Sequence, residues 1–154
     1  MGIEIERKFL VDVSLLPELV AGTYISQGYV ETASSTVVRI RVKGNIGYLT
    51  LKGESTGIAC AEYEYEIPKA DAKEIIATLC AGKTVEKTRY EYPVANHTWE
   101  VDIFHGENQG LIVAEIELGA ENEEFLKPDW VMEEVTGQTR YFNSQLLNHP
   151  YATW

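Results

Sequence analysis

The chain has 154 residues, of which 45% are hydrophobic and 24% charged, which fits one globular domain and excludes a disordered chain. Its formal net charge of −11 excludes duplex nucleic acid and anionic membrane surfaces as partners, because both would repel it. The N-terminus is acidic and alternating, unlike a signal peptide, and there are only two cysteines, Cys60 and Cys80. We therefore expect a single domain over residues 1–154, in the reducing cytoplasm and without a membrane span.

Strand-like alternation of apolar and polar residues recurs along the chain. In each segment one face is apolar and the other carries polar, mostly charged, side chains. Short glycine-containing loops between segments favour hairpins and antiparallel pairing. Eight strands are predicted, near residues 3–11, 24–30, 37–43, 48–52, 61–67, 85–92, 98–104 and 112–118.

Four helices are predicted among and after these strands. The longest covers residues 69–81, where Ile75, Ile76 and Leu79 form an apolar side and Gly82 follows the end. Shorter helices are expected near residues 14–20, 121–126 and 140–148. A chain with this content, dominated by antiparallel strands, belongs to the α+β class.

The charged faces of the strands are sorted by sign. Residues 37–43 carry three basic side chains at alternate positions, residues 61–67 carry three acidic ones, and later strands carry pairs of one sign. For one strand alone, a polar face usually means exposure to water. Rows of like charge are unusual there because neighbours repel, whereas eight strands can close around one small ligand. We therefore predict an eight-stranded antiparallel closed β-barrel with charges inside and helices packed outside.

Charges inside a barrel must be neutralised by one another, by a metal or by an anion. Basic rows therefore favour a polyanion, and acidic rows favour a divalent cation. Glu4 and Glu6 present two carboxylates to one side of their strand. Glu115 and Glu117 do the same on another strand, and Asp102 can complete the set. Oxygen donors suit Mg²⁺ or Mn²⁺, and the histidines and cysteines lack the spacing of a zinc site.

An ordered set of motifs runs from residue 4 to about residue 143. It comprises Glu4-Ile5-Glu6-Arg7-Lys8, Gln27-Gly28-Tyr29, Arg39-x-Arg41, Thr50-x-Lys52, Glu62-x-Glu64-x-Glu66, Lys87-x-Arg89, Glu100-x-Asp102, Glu115-x-Glu117 and Arg140-Tyr141-x-Asn143. This set resembles the CYTH, or triphosphate tunnel metalloenzyme, superfamily, whose signature is an N-terminal Glu-x-Glu-x-Lys. Two positions depart from the pattern: Cys60 stands where relatives often carry Arg, and Gln138 where many carry Asp.

The resemblance implies a tunnel-shaped barrel, dependence on Mg²⁺ or Mn²⁺, and a linear triphosphate substrate. The implied catalytic residues are Glu62 and Glu64, which would place a second metal or the attacking water, together with Lys87 and Tyr29, the latter near the leaving group. The implied metal ligands are Glu4, Glu6, Asp102, Glu115 and Glu117. The implied phosphate ligands are Lys8, Arg39, Arg41, Lys52, Lys87, Arg89 and Arg140.

The implied activity is hydrolysis of inorganic tripolyphosphate to pyrophosphate and phosphate. The chain resembles short bacterial members of the superfamily and shows no added segment that would recognise a base or a thiazole. The alternatives are a thiamine or nucleoside triphosphatase, a class IV adenylate cyclase and a non-catalytic polyphosphate-binding module. The full carboxylate sets argue against the last, because binding alone would favour basic residues. We expect a monomer or a small homo-oligomer.

Overall fold

The structure, a computed structural model, describes residues 2–154 and contains nine strands in one antiparallel sheet. Eight of them follow the order β1-β5-β4-β3-β2-β6-β7-β8, and β8 pairs with β1 again, so the sheet closes into a barrel. This confirms the eight-stranded antiparallel barrel predicted from the sequence. The strands are β1 (Ile3–Val11), β2 (Thr23–Val30), β3 (Val37–Lys43), β4 (Ile46–Lys52), β5 (Ala59–Ile67), β6 (Val85–Val94), β7 (His97–Phe104), β8 (Ile112–Glu117) and β9 (Val131–Glu134).

The ninth strand, β9, was not predicted. It pairs with the last residues of β1, which uses its first residues to pair with β5 and its central residues to pair with β8. Four residues without alternating exposure give no sequence signal for a strand. Strand β9 therefore forms because the last residues of β1 leave backbone N–H and C=O groups unpaired on one side.

The hydrophobic core lies outside the barrel wall, because the inner face is polar. The largest cluster is aromatic: Phe9, Trp99 and Trp130 pack edge to face beneath the segment that follows β8. Two further clusters form under the two helices, so the helices pack outside the barrel as predicted.

Helix α1 (Lys69–Leu79) covers the outside of β2, β3 and β4. Its approach is close enough to require glycine in the strands below: a Cβ added to Gly47 would lie 2.8 Å from the Cβ of Ala72. The helix ends near residue 80, because Gly82, in the left-handed region, donates its N–H to the carbonyl of Ile76.

Two of the shorter predicted helices are absent. In place of a helix at residues 14–20 there is one 3₁₀ turn, Val13–Leu15, because Leu16 precedes Pro17 and takes an extended conformation. Residues 121–126 form no helix. Their Phe125 packs edge to face against the aromatic cluster instead, so tertiary packing overrides the helical pattern there.

The last predicted helix, at residues 140–148, is broken into two pieces. A 3₁₀ turn covers Thr139–Tyr141, Phe142 is extended, and helix α2 covers only Asn143–Leu146. Leu146 of α2 is buried against the outside of the barrel and anchors this segment.

Within residues 2–154, no helix has the length and apolar character needed to cross a membrane.

Candidate active site

Charged side chains lie buried inside the barrel, although the chain as a whole is acidic. The most deeply buried set contains five cations and two carboxylates, so its charge is opposite in sign to that of the chain. A positive interior with low-dielectric walls attracts an anion and holds it strongly. These residues, each at most 9% exposed, are Lys8, Arg39, Arg41, Lys87, Arg89, Asp102 and Glu115.

Asp102 neutralises two of the cations. Its Oδ2 accepts hydrogen bonds from Lys87 Nζ at 2.7 Å and Arg89 Nη2 at 2.8 Å, and its Oδ1 accepts from Arg89 Nε at 2.7 Å. Burial alone would raise the pKa of Asp102, but the charges of Lys87 and Arg89 outweigh it and lower this pKa. Asp102 is therefore ionised, and its oxygens are largely engaged.

Glu6 and Glu115 form an acid–carboxylate pair between β1 and β8. Burial raises the pKa of Glu6 well above its ordinary value, and the negative charges of Glu115 and Glu4 raise it further. Burial acts the same way on Glu115, but the charge of Lys8 and the hydrogen bond from Glu6 together lower its pKa well below the ordinary value. The shared proton therefore resides on Glu6, and Glu115 carries the negative charge.

One end of the tunnel, which we call the acidic end, is formed by Glu4, Glu6, Glu62 and Glu117. Lys52 bridges two of these side chains, since its Nζ lies 2.9 Å from Glu4 Oε1 and 3.3 Å from Glu62 Oε2. Burial and the charge of Glu4 raise the pKa of both Glu62 and Glu117. The acidic end is thus crowded with carboxylates, and Lys52 neutralises only part of their charge.

Arg39 is held on β3 by neighbours on β4 and β5 and keeps a free donor. Its Nη2 lies 3.2 Å from Glu64 Oε2 and 3.2 Å from Thr50 Oγ1, and Thr50 in turn donates to Glu64 at 2.8 Å. The Nε of Arg39 is buried without a hydrogen-bond partner among residues 2–154. A buried donor of this kind needs a ligand oxygen or a water molecule.

Arg41 is buried without a counter-ion: no carboxylate of residues 2–154 lies within 4.0 Å of its guanidinium. Its Nε donates to Gln27 Oε1 at 2.8 Å. Burial, together with the charges of Arg39 and Arg89, lowers the pKa of Arg41 to about 10. A buried cation that lacks a partner indicates that the tunnel is built for an anion.

The end of the tunnel opposite the acidic end is covered by the segment that follows β9. Lys8 Nζ donates to the carbonyl oxygen of Tyr141 at 3.1 Å and lies 6.0 Å from the centre of the Phe142 ring. Lys87 Nζ donates to Asn143 Oδ1 at 2.8 Å. These neutral oxygens solvate two lysines that also have a carboxylate nearby, since Lys87 Nζ lies 2.7 Å from Asp102 Oδ2 and Lys8 Nζ lies 3.8 Å from Glu115 Oε2. Burial lowers the pKa of Lys87 to about 7.

The structure places Tyr29 inside the tunnel but Arg140 outside it. Tyr29 is half-buried, and its hydroxyl accepts a hydrogen bond from Gln27 Nε2 at 2.6 Å. Arg140 is exposed, and its guanidinium lies 3.9 Å from the ring centre of Trp154. The structure therefore does not bring Arg140 to the other expected phosphate ligands.

The five expected metal ligands share one region of the tunnel without converging on one point. Glu6 and Glu115 are in contact, Glu4 and Glu117 lie at the acidic end, and Asp102 is held by two cations. Within the described residues, no three acidic, His or Cys side chains are grouped closely enough to hold an ion directly. Burial, and after it the negative charge of neighbouring carboxylates, raises the pKa of Glu6 and Glu117. A divalent cation relieves this repulsion between like charges, so these oxygen donors fit one in kind and charge.

Gln27, Thr50 and Asn143 contact the expected ligands, although the sequence suggested no role for them. Gln27 and Thr50 stand two positions from Tyr29 and Lys52, so strand alternation could have placed them on the inner face. Asn143 belongs to the Arg140-Tyr141-x-Asn143 motif, but it follows an irregular segment, so strand alternation could not place it. Of the two departures from the family pattern, Cys60 lies 3.9 Å from Glu4 Oε1, and Gln138 is exposed.

A sequence model of the CYTH domain family matches residues 2–151. An inorganic triphosphatase of Acetivibrio thermocellus is 51% identical over 154 residues, which cover 100% of this chain and 99% of the relative. An inorganic triphosphatase of Nitrosomonas europaea is 37% identical over 147 residues, or 93% of this chain and 95% of the relative. The crystal structure of an inorganic triphosphatase matches with a TM-score of 0.66 and 36% identity, covering 96% of this chain and 95% of that one.

Proposed function

The chain belongs to the CYTH domain family, and from this premise we propose that it hydrolyses inorganic tripolyphosphate to pyrophosphate and phosphate. The observation that carries the proposal is the buried guanidinium of Arg41, which has no carboxylate partner among residues 2–154 and lies within a deeply buried set of charges that is mostly cationic. A linear polyanion supplies the missing negative charge. Both matched relatives bear the name inorganic triphosphatase, which favours a triphosphate that carries no organic group.

The phosphate oxygens are bound mainly by three arginines and three lysines. Arg41 offers its free Nη groups and Arg39 its unpartnered Nε, whereas Arg89 is held in place by Asp102. The planar guanidinium of Arg can donate two hydrogen bonds to the oxygens of one phosphate, and the ammonium of Lys supplies a point charge. The six proposed ligands are Lys8, Arg39, Arg41, Lys52, Lys87 and Arg89.

The carboxylates Glu4, Glu6, Glu115 and Glu117 would hold Mg²⁺ or Mn²⁺. Such an ion, when bound, neutralises and orients phosphate oxygens. We assign Asp102 a different part, as the counter-ion that fixes Lys87 and Arg89, because its oxygens already accept three hydrogen bonds from them. This assignment separates Asp102 from the metal ligands with which the sequence grouped it.

The remaining residues serve the transfer of the phosphoryl group to water. Phosphoryl transfer requires the attacking and leaving oxygens to lie in line with the phosphorus, and the negative charge of the phosphoryl oxygens to be neutralised. Arg39, Arg41 and Arg89 stabilise that charge in the transition state. Glu62 has a raised pKa and is a better proton acceptor for an attacking water than an ordinary glutamate. The hydroxyl of Tyr29, which accepts from Gln27, keeps its own hydrogen to donate to the leaving oxygen.

The test is phosphate release from tripolyphosphate, ATP and thiamine triphosphate, each with Mg²⁺, with Mn²⁺ and with EDTA. We expect tripolyphosphate to give the highest kcat/KM and EDTA to stop the reaction. Turnover that persists in EDTA would refute the metal site. A higher kcat/KM for an organic triphosphate would make the chain a nucleoside or thiamine triphosphatase, and cyclic AMP as the main product from ATP would make it a cyclase.

A further inference from the structure

Gln27 is a neutral side chain buried next to a cation of the tunnel, Arg41. It lies on β2 directly opposite Arg41 of β3 in the backbone pairing, and it is 0% exposed. We propose that Gln27 is a positioning residue that aims the guanidinium of Arg41 at the substrate phosphates. This inference rests on the proposed function, because its effect is read through triphosphate binding.

The orientation of the Gln27 amide is fixed by its partners. Arg41 Nε can only donate a hydrogen bond, so the oxygen Oε1 of Gln27 must face it, at 2.8 Å. The amide nitrogen then points the other way and donates to Tyr29 Oη at 2.6 Å and to Asn143 Oδ1 at 3.3 Å. Both N–H groups and the carbonyl oxygen are used, so the amide has one defined position.

Fixing Nε leaves both Nη groups of Arg41 free for phosphate oxygens. Among residues 2–154 the hydrogen bond to Gln27 is the side-chain contact that fixes the guanidinium, since no carboxylate lies within 4.0 Å of it. A carboxylate in place of the amide would hold Arg41 equally well but would neutralise it. A neutral amide therefore orients the cation and preserves its charge for the substrate.

The test is a double-mutant cycle that combines Gln27→Met with Arg41→Ala. Methionine keeps the length of the side chain and removes its hydrogen bonds. A hydrogen bond to a charged group is worth roughly a ten- to hundredfold change in an equilibrium constant, and we expect that loss in kcat/KM for tripolyphosphate from Gln27→Met alone. In the Arg41→Ala background the same substitution should change kcat/KM less than about twofold. An equal loss in both backgrounds would overturn the proposal.

Ile25→Val is the matched packing control. Ile25 lies on the same strand and the same face as Gln27 and is also 0% exposed, but its side chain makes no hydrogen bond. The substitution should lower the melting temperature and leave kcat/KM within about twofold of the parent. If Ile25→Val lowers kcat/KM as much as Gln27→Met does, Gln27 is a packing residue and the proposal is wrong.

Gln27→Glu covers the case in which Gln27→Met fails to fold. It keeps the shape and the acceptor for Arg41 but adds a competing negative charge, so we expect a weaker affinity for tripolyphosphate without loss of the fold. Unchanged affinity would contradict the proposal. All variants are also titrated with tripolyphosphate and Mg²⁺ by calorimetry. Absence of turnover by the parent would refute the proposed function alone, because the binding cycle still decides the role of Gln27.

Discussion

Replacing Glu6 with Gln should stabilise the metal-free protein at neutral pH while removing its activity. The folded-state pKa of Glu6 is raised well above its unfolded value, so the folded protein binds the proton more tightly than the unfolded chain does. The contribution of Glu6 to stability is therefore fully present below about pH 4.3, the ordinary pKa of Glu, and is lost as the pH rises toward the folded value. Glutamine does not titrate, and its N–H can still donate to Glu115.

The size of the effect follows from the linkage. The difference between the free energies of unfolding of the variant and the parent should grow in favour of the variant as the pH rises above about pH 4.3. The growth is up to about 1.4 kcal/mol per pH unit and stops when the folded-state pKa of Glu6 is reached. We expect a difference of at least about 1 kcal/mol in favour of Glu6→Gln at pH 7. The assay is urea unfolding in EDTA at several values between pH 5 and pH 8.

Glu134→Gln is the control, because this substitution should lower stability at neutral pH where Glu6→Gln should raise it. Arg7 donates to Glu134 through Nε at 2.9 Å and through Nη2 at 2.6 Å on the outside of the barrel, and these contacts lower the pKa of Glu134. Loss of this half-exposed pair should reduce stability at neutral pH by up to about 1 kcal/mol. If Glu6→Gln is also less stable than the parent in EDTA, Glu6 is a structural partner and its assignment to the metal site is wrong.

Three further results are expected. Arg41→Ala should lower kcat/KM for tripolyphosphate by at least about a hundredfold. Lys69→Ala, on the outer helix α1, should change it less than about twofold. Equal losses of phosphate release in the two variants would refute a site that faces into the barrel. Asp102→Asn, which leaves two buried cations with less compensation, should reduce the free energy of unfolding by about 3 kcal/mol, measured in urea, and no change would show that the cations find other partners. Gly47→Ala should lower stability by about 1–3 kcal/mol, because the added Cβ would lie 2.8 Å from that of Ala72; an unchanged melting temperature would show that α1 moves away freely.

The barrel could be predicted because its strands carry the alternation in their own residues. Strand β3 shows this most clearly, since Arg39 and Arg41 point inward and Ile40 packs outward against α1. Strand β9 and the non-helical segment around Phe125 could not be predicted, because neighbours far along the chain determine both. Local patterns therefore specify the wall of the barrel but not what covers it.

The residue types of the site could be predicted, but their pairing could not. Asp102 was grouped with the metal ligands by residue type, yet the pairing of β6 with β7 sets it opposite Arg89. That pairing depends on register and on rotamers, which a single sequence does not contain. The contact of Asn143 with Lys87 could not be predicted, because it arises from the path of the segment that follows β9.

Strand β1 closes the barrel by pairing with strands that lie far along the chain. The residues of β1 must wait for partners near residues 59–61, 113–117 and 131–134, which are synthesised later. Such large separations in sequence make folding slow, because the entropy of closing long loops is lost before the contacts form. On the ribosome, β1 cannot complete its pairing until residues 131–134 have emerged. Since Glu4, Glu6 and Lys8 lie on β1, the inner face of the tunnel gains all three side chains only when β1 has paired with both β5 and β8.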